Sequence, residues 1–132
     1  MKPRRVLIVD DEPAVRRALE KALSRAGHTV LLAPSGEQAC ELLAVQQVDA
    51  ILMDLRMPSM SGQTLFHVIL SQWPWLASRI AVMSGDPDAE DQQEWLAIYR
   101  LPVLGKPFEL ARVFDMVEHL CGEAERRQAN SS

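Results

Sequence analysis

Cysteine is rare in this chain of 132 residues, and its few histidines are scattered. The two cysteines, Cys40 and Cys121, lie far apart and form no CxxC pair, so the sequence favours neither a zinc site nor a thiol redox motif. The three histidines, His28, His67 and His119, do not change this conclusion. Zinc and thiol chemistry are therefore not expected.

The sequence also lacks a basic excess and a long apolar run. Its formal net charge is -4, whereas a dedicated nucleic-acid surface would normally show a basic face. The apolar run at residues 6–9 is too short for a secretory signal, and no run approaches the length of a membrane span. We therefore expect a cytoplasmic protein that contacts neither nucleic acid nor membrane directly.

Short apolar segments that alternate with helical patterns define the expected fold class. Such segments are typical of strands buried on both faces of a sheet. The predicted strands are residues 6–9, 28–33, 50–54, 79–83 and 101–104. The predicted helices run from Pro13 to a stop at Gly27, from a Ser35/Gln38 capping box to about Val45, over 64–72, from a cap at Asp88 to Tyr99, and from 109 to about 121. This alternation predicts an α/β domain with a parallel sheet and helices on both of its faces.

The predicted domain spans residues 1–121. Residues 122–132 carry no apolar stripe, so we interpret them as a tail or the start of a linker.

Polar side chains follow four of the five predicted strands. Asp10 and Asp11 follow the first strand, Asp54 ends the third, Ser84 follows the fourth and Lys106 follows the fifth. Because the carboxyl ends of parallel strands lie along one edge of the sheet, we expect these side chains to converge there.

Three carboxylates that converge repel one another by a few kcal/mol for each close pair. A hard divalent cation would relieve this repulsion, and an oxygen-only ligand set indicates Mg²⁺. Lys106 would add a point charge for a phosphate group, and Ser84 could donate a hydrogen bond to it. An aspartate among these groups is placed to attack phosphorus and be held as an acyl phosphate.

Four motifs in order carry a family resemblance: Val9-Asp10-Asp11, Met53-Asp54 with Met57-Pro58, Met83-Ser84-Gly85, and Lys106-Pro107-Phe108. Over about residues 4–121 the sequence resembles the receiver domains of two-component response regulators. The resemblance implies a doubly wound, five-stranded (βα)5 flavodoxin-like fold with strand order 2-1-3-4-5. It also implies a cis peptide bond between Lys106 and Pro107.

The resemblance implies a role for each matching residue. Asp54 corresponds to the phosphoacceptor, Lys106 to the phosphate-sensing lysine and Ser84 to the switch hydroxyl. Mg²⁺ would be held by Asp11, by Asp54 and by the backbone carbonyl of Arg56, and by Asp10 through a water molecule.

The resemblance also implies partners. A histidine kinase, a phosphotransfer protein or a small phosphodonor would supply the phosphoryl group, and an output domain or partner protein would read the switched surface. A homodimer on activation is a further possibility. The mode that uses basic residues of the fourth helix is not supported, because residues 88–94 are acidic. A second departure is Val103, which stands where the family usually has tyrosine or phenylalanine.

Two other functions compete with a phosphorylated receiver, which is not a turnover enzyme. A Mg²⁺-dependent phosphohydrolase usually has a second aspartate two residues after its nucleophile, but that position is Arg56 here. A docking module that is never phosphorylated is favoured only by Val103.

Trp95 and Tyr99 also have two interpretations. They could form an exposed aromatic pair on the output surface, or they could simply pack against the core, which is the commoner use of such residues.

Overall fold

The computed structural model describes residues 2–86 and 90–130, in which five strands alternate with five α-helices. The strands are β1 (Arg5–Val9), β2 (Thr29–Ala33), β3 (Ala50–Asp54), β4 (Ile80–Ser84) and β5 (Val103–Gly105). The helices are α1 (Pro13–Arg25), α2 (Gly36–Val45), α3 (Gly62–Gln72), α4 (Glu90–Tyr99) and α5 (Leu110–Asn130). The predicted alternation is confirmed.

The five strands form one parallel sheet in the order β2-β1-β3-β4-β5. The predicted α/β class and the strand order implied by the resemblance are therefore both confirmed. In this order β2 lies on one side of β1, and β3, β4 and β5 follow one another on the other side. The connections therefore leave β1 and β3 in opposite directions across the sheet, and the carboxyl ends of these two strands are adjacent. This switch point is where open α/β sheets form their ligand crevice.

Successive residues of the central strands point to opposite faces of the sheet, and each face has its own core. Leu7, Ile51 and Val82 belong to the core under α2, α3 and α4. Ile8, Leu52 and Met83 belong to the core under α1 and α5. Burial on both faces explains why these strands read as unbroken apolar runs rather than alternating ones.

Side-chain caps and one glycine fix the starts of α2 and α3. Ser35 Oγ accepts a hydrogen bond from the Gln38 backbone N–H, so the predicted cap is confirmed, and Ser61 caps α3 in the same way. A Cβ atom on Gly62 would lie 2.4 Å from the carbonyl oxygen of Asp54. A residue without a side chain therefore lets α3 begin directly against the end of β3.

Several element boundaries differ from the predicted ones. α3 begins at Gly62 rather than at residue 64, and a short 3₁₀ helix, Pro74–Arg79, precedes β4. β5 begins at Val103 rather than at residue 101, because Pro102 has no N–H with which to join the ladder of β4. Asp88, the predicted cap of α4, lies outside the described residues.

α5 continues to Asn130, so the prediction that this helix ends near residue 121 is wrong. Contacts with the body of the domain accompany the longer helix. Ala124 is buried, and Glu125 accepts a hydrogen bond from the buried guanidinium of Arg4. Within the described ranges, no helix combines the length and apolar character needed to cross a bilayer.

Candidate functional site

Asp54 ends β3 at the carboxyl edge of the sheet and is buried. Its Oδ1 accepts a hydrogen bond from the backbone N–H of Arg56 at 3.1 Å. Its Oδ2 lies 3.3 Å from Lys106 Nζ. Asp54 therefore presents a carboxylate that is held from two directions.

Asp10 follows β1 and is fully buried beside this carboxylate. Its Oδ1 accepts the backbone N–H of Glu12 at 2.9 Å, and its Oδ2 accepts a hydrogen bond from Lys106 Nζ at 2.8 Å. A buried carboxylate is tolerated only when it is paired and hydrogen-bonded, and both conditions are met here.

Lys106 bridges the acidic groups with a single ammonium. Besides Asp10 and Asp54, its Nζ lies 3.8 Å from a Glu12 carboxylate oxygen. Burial alone would lower the pKa of Lys106, but its hydrogen bonds and charge interactions with Asp10 and Asp54 raise that pKa overall. The lysine is therefore an ammonium at neutral pH, and its charge is shared among several carboxylates.

Burial raises the pKa of Asp54 above the ordinary value, and the negative charge of Asp10 adds to this rise. The Arg56 N–H and the ammonium of Lys106 oppose the rise but do not cancel it. Three carboxyl groups, those of Asp10, Glu12 and Asp54, face the single ammonium of Lys106, so additional positive charge would be stabilising.

Carboxylate oxygens of Asp10, Glu12 and Asp54 lie within 4.8 Å of one another. The potential ligand atoms of this group are all oxygens, which Mg²⁺ prefers over nitrogen or sulfur. The donor set and the charge imbalance both fit a hard divalent cation.

The predicted ligand Asp11 is exposed and is not one of this group, which among the described residues contains Glu12 instead. Glu12 forms the N-cap of α1, but its side chain makes no capping hydrogen bond. Its carboxylate is therefore available to the site. The sequence signal for Glu12 was its position in the run Asp10-Asp11-Glu12, which is equally typical of acids that start a helix.

Ser84 ends β4 and lies next to Lys106. The backbone N–H of Lys106 donates a hydrogen bond to the Ser84 carbonyl oxygen at 2.7 Å. The Ser84 hydroxyl donates to Gln92 Oε1 of α4 at 3.1 Å and accepts the Asp86 backbone N–H at 3.2 Å. Ser84 is thus at the predicted edge, with its hydroxyl bonded to a helix. Sequence reasoning missed Gln92, since a glutamine in an acidic helix looks like a solvated residue.

Arg56 lies two residues after Asp54, as the motif requires, and is exposed. The Lys106–Pro107 peptide bond is cis, as the resemblance implied. Val103 is partly buried and packs against the core under α2, α3 and α4.

The aromatic residues of α4 pack against α3. Trp95 and Tyr99 are partly buried, and the Trp95 and Phe66 ring centroids are 5.4 Å apart. Trp95 Nε1 also donates a hydrogen bond to His67 Nε2 at 3.2 Å. The interpretation of Trp95 and Tyr99 as packing residues is confirmed.

Known sequences resemble this chain over most of its length. The response regulator receiver domain model matches residues 6–118. The chain is 32% identical over 123 residues to the DNA-binding transcriptional regulator NtrC of Escherichia coli K12. It is 32% identical over 127 residues to the transcriptional regulatory protein KdpE of Mycobacterium tuberculosis H37Rv, and 34% identical over 129 residues to the sensor histidine kinase TmoS of Ectopseudomonas mendocina.

The alignments with NtrC, KdpE and TmoS cover 93%, 93% and 94% of this chain, but 26%, 55% and 13% of the respective relatives. The chain therefore spans about half the length or less of each of these three proteins.

Solved structures show the same fold. The signal receiver domain of an HD domain-containing protein from Pseudomonas fluorescens Pf-5 superposes with a TM-score of 0.84 at 24% identity, covering 98% of this chain and 95% of that one. A putative response regulator from Chloroflexus aurantiacus J-10-fl gives a TM-score of 0.80 at 28% identity, with 92% and 99% covered.

Proposed function

Since this chain belongs to the family of response regulator receiver domains, we propose that it accepts a phosphoryl group on Asp54. The donor is a histidine kinase, a phosphotransfer protein or a small phosphodonor. The observation that carries the proposal is the convergence of Asp54, Asp10 and Lys106 at one sheet edge, with Lys106 Nζ 3.3 Å from Asp54 Oδ2 and 2.8 Å from Asp10 Oδ2.

The proposed reaction is a phosphoryl transfer onto an Asp54 carboxylate oxygen. The oxygen attacks phosphorus and forms a P–O bond, while the bond from phosphorus to the donor breaks. From a phosphohistidine, the imidazole nitrogen leaves with the electron pair and is protonated. The Arg56 N–H orients the other carboxylate oxygen of Asp54, so the attacking oxygen faces the site.

Asp54, Asp10 and the neighbouring acids Asp11 and Glu12, together with the Arg56 carbonyl, are the groups that would hold Mg²⁺. When bound, Mg²⁺ neutralises charge on the phosphoryl oxygens and on the carboxylates around them. Lys106 and Ser84 would bind the phosphoryl group once it is on Asp54, since an ammonium and a hydroxyl can both donate hydrogen bonds to phosphoryl oxygens.

Phosphorylation adds roughly two negative charges at this edge. The existing bonds of Lys106 and Ser84 would have to rearrange to accommodate them. We propose that this rearrangement changes the surface around α4, which an output domain or a partner protein reads. NtrC and KdpE are regulators of transcription and TmoS is a sensor histidine kinase, so a longer regulatory protein is a suitable context for this domain.

The competing functions have less support. A phosphohydrolase would need an acid/base group beside the nucleophile, and Arg56 stands at the usual position for it. A docking module that is never phosphorylated would not need the acids and lysine that the structure brings together. We therefore propose a receiver rather than a turnover enzyme.

Intact-mass spectrometry after incubation with acetyl phosphate tests the proposal. We expect the wild type to gain one phosphoryl group in the presence of Mg²⁺ and none in its absence. Asp54→Asn should gain none, whereas the control Asp115→Asn, which changes an exposed acid on α5, should behave as the wild type. If the wild type gains nothing from acetyl phosphate or from a panel of phosphorylated histidine kinases, the docking module becomes the better account.

A further inference from the structure

We propose that Gln92 is the residue through which the phosphorylation state of Asp54 reaches α4. This inference rests on the proposed function of Asp54. In the unphosphorylated domain, Gln92 accepts the hydrogen bond of the Ser84 hydroxyl and thereby holds α4 against the end of β4. Phosphorylation releases the amide by drawing that hydroxyl away.

The contact that carries the inference is a buried hydrogen bond between two different elements. Ser84 Oγ and Gln92 Oε1 are 3.1 Å apart, and both residues are 3% exposed. A buried amide that loses its partner is costly, because no bulk water replaces it. The state of one hydroxyl in the sheet is therefore linked energetically to the position of a helix.

A serine hydroxyl has one hydrogen to donate. Here that hydrogen goes to Gln92, while the Ser84 oxygen accepts the N–H of Asp86. A phosphoryl oxygen on Asp54 offers a charged and stronger acceptor. Ser84 cannot serve both acceptors, so donation to the phosphoryl group leaves Gln92 to find another partner. The two arrangements are the alternative states that a switch requires.

Val103, which stands where the family usually has tyrosine or phenylalanine, cannot accept the hydrogen bond of the Ser84 hydroxyl. It pairs with Val82 in the sheet and packs against the core, but its side chain has no hydrogen-bonding group. In the described part of the chain, Gln92 is the side chain that meets the Ser84 hydroxyl.

The rest of α4 offers a built-in reporter. Trp95 lies three residues after Gln92, on the same side of the helix, and its indole N–H donates to His67 of α3. A rotation or shift of α4 that releases Gln92 would alter this bond. The Trp95 indole N–H resonance in an NMR spectrum, assigned with Trp95→Phe, therefore reports the position of α4.

The test compares this resonance before and after addition of Mg²⁺ and beryllofluoride, which mimics a phosphoryl group on Asp54. In the wild type we expect a clear shift. In Gln92→Leu, the resonance should start displaced toward the activated position and should change by less than half of the wild-type shift. Gln92→Glu keeps an acceptor oxygen and should start at the wild-type position. Gln93→Leu, a change at the next and exposed residue, should respond as the wild type.

A full wild-type shift in Gln92→Leu would overturn the inference. Should Gln92→Leu fail to fold, Ser84→Ala breaks the same hydrogen bond from the other side and must displace the Trp95 resonance in the same direction. An undisplaced resonance in Ser84→Ala would equally overturn it. Intact mass separates the two claims: variants that are phosphorylated but keep the wild-type response disprove only the role of Gln92, whereas a wild type that takes up no phosphoryl group disproves both.

Discussion

Lys106 Nζ lies 2.8 Å from Asp10 Oδ2, and the Asp10 side chain is fully buried. The two residues follow β5 and β1, which are separated in the sheet by β3 and β4. The lysine side chain therefore reaches across the carboxyl edge to neutralise an acid on the far side of Asp54. This contact makes Lys106 both a structural counterion and a candidate phosphate ligand.

Lys106→Met should destabilise the domain, because it leaves the buried acids without their ammonium. We expect a loss of about 2 kcal/mol in the free energy of unfolding, below the roughly 3–5 kcal/mol of a broken, fully buried pair because Lys106 is partly exposed. Saturating Mg²⁺ should recover part of this loss by supplying positive charge. Urea unfolding with and without Mg²⁺ measures both effects, and a variant whose stability Mg²⁺ does not change would argue against a cation among these acids.

Mg²⁺ should stabilise the wild type, because a ligand that binds only the folded state raises its stability by about 2.7 kcal/mol at one hundred times its dissociation constant. Asp54→Asn should abolish most of this gain.

Two neighbouring acids compete for the role of direct Mg²⁺ ligand. The family resemblance assigns Asp11, whereas Glu12 is the residue close to Asp10 and Asp54. Asp11 is exposed and can turn toward a bound ion, so we expect Asp11→Asn to weaken Mg²⁺ binding by about 10–100-fold and Glu12→Gln to weaken it far less. Titration calorimetry measures both affinities. The opposite order would assign the ligand to Glu12.

Gly62→Ala should disturb the site without touching a polar side chain. The added Cβ would lie 2.4 Å from the Asp54 carbonyl oxygen and 2.8 Å from Leu55 Cα, so the end of β3 or the start of α3 must shift. Overpacking of this kind costs about 1–3 kcal/mol. Phosphorylation of Asp54 should slow as well. Gly85→Ala is the matched control, because its added Cβ meets nothing within 4 Å; equal stability losses in the two variants would contradict this account.

Glu125 should make the stability of the domain depend on acid pH. Its hydrogen bond from Arg4 lowers the pKa of Glu125 from 4.5 to about 2, so the carboxylate favours the folded state. The resulting stabilisation is fully present above about pH 4.5 and is lost as the pH falls toward 2. The difference in melting temperature between the wild type and Glu125→Gln should therefore shrink across this window. Glu41→Gln, an exposed acid of α2, is the control; a difference that stays constant across the window would contradict the assignment.

The sequence predicts the fold well because its strongest signals are local and redundant. β1, β3 and β4 each contain an unbroken apolar run, and a polar residue at the functional edge directly follows each run. The alternation with helices requires parallel pairing, so the convergence of Asp10, Asp54, Ser84 and Lys106 could be predicted without coordinates. The strand order came from the family resemblance, since patterning alone does not choose among doubly wound orders.

Features that depend on tertiary contacts could not be predicted from the sequence. The extension of α5 accompanies the burial of Ala124 and the pairing of Glu125 with Arg4, a residue at the other end of the chain. Gln92 has no local signature, because its partner lies in another element. Glu12 and Asp11 are adjacent acids, and which of them meets the site depends on the backbone turn into α1.

The central claim, that Asp54 carries the phosphoryl group, is tested most directly by locating that group chemically. Borohydride reduces an aspartyl phosphate to homoserine, and peptide mass spectrometry then identifies the converted position. After incubation with acetyl phosphate and Mg²⁺, we predict homoserine at position 54 and aspartate at positions 10 and 11. Homoserine at either of the other positions, or at none after both acetyl phosphate and phosphorylated histidine kinases have been supplied to a folded protein that binds Mg²⁺, would contradict the proposed role of Asp54.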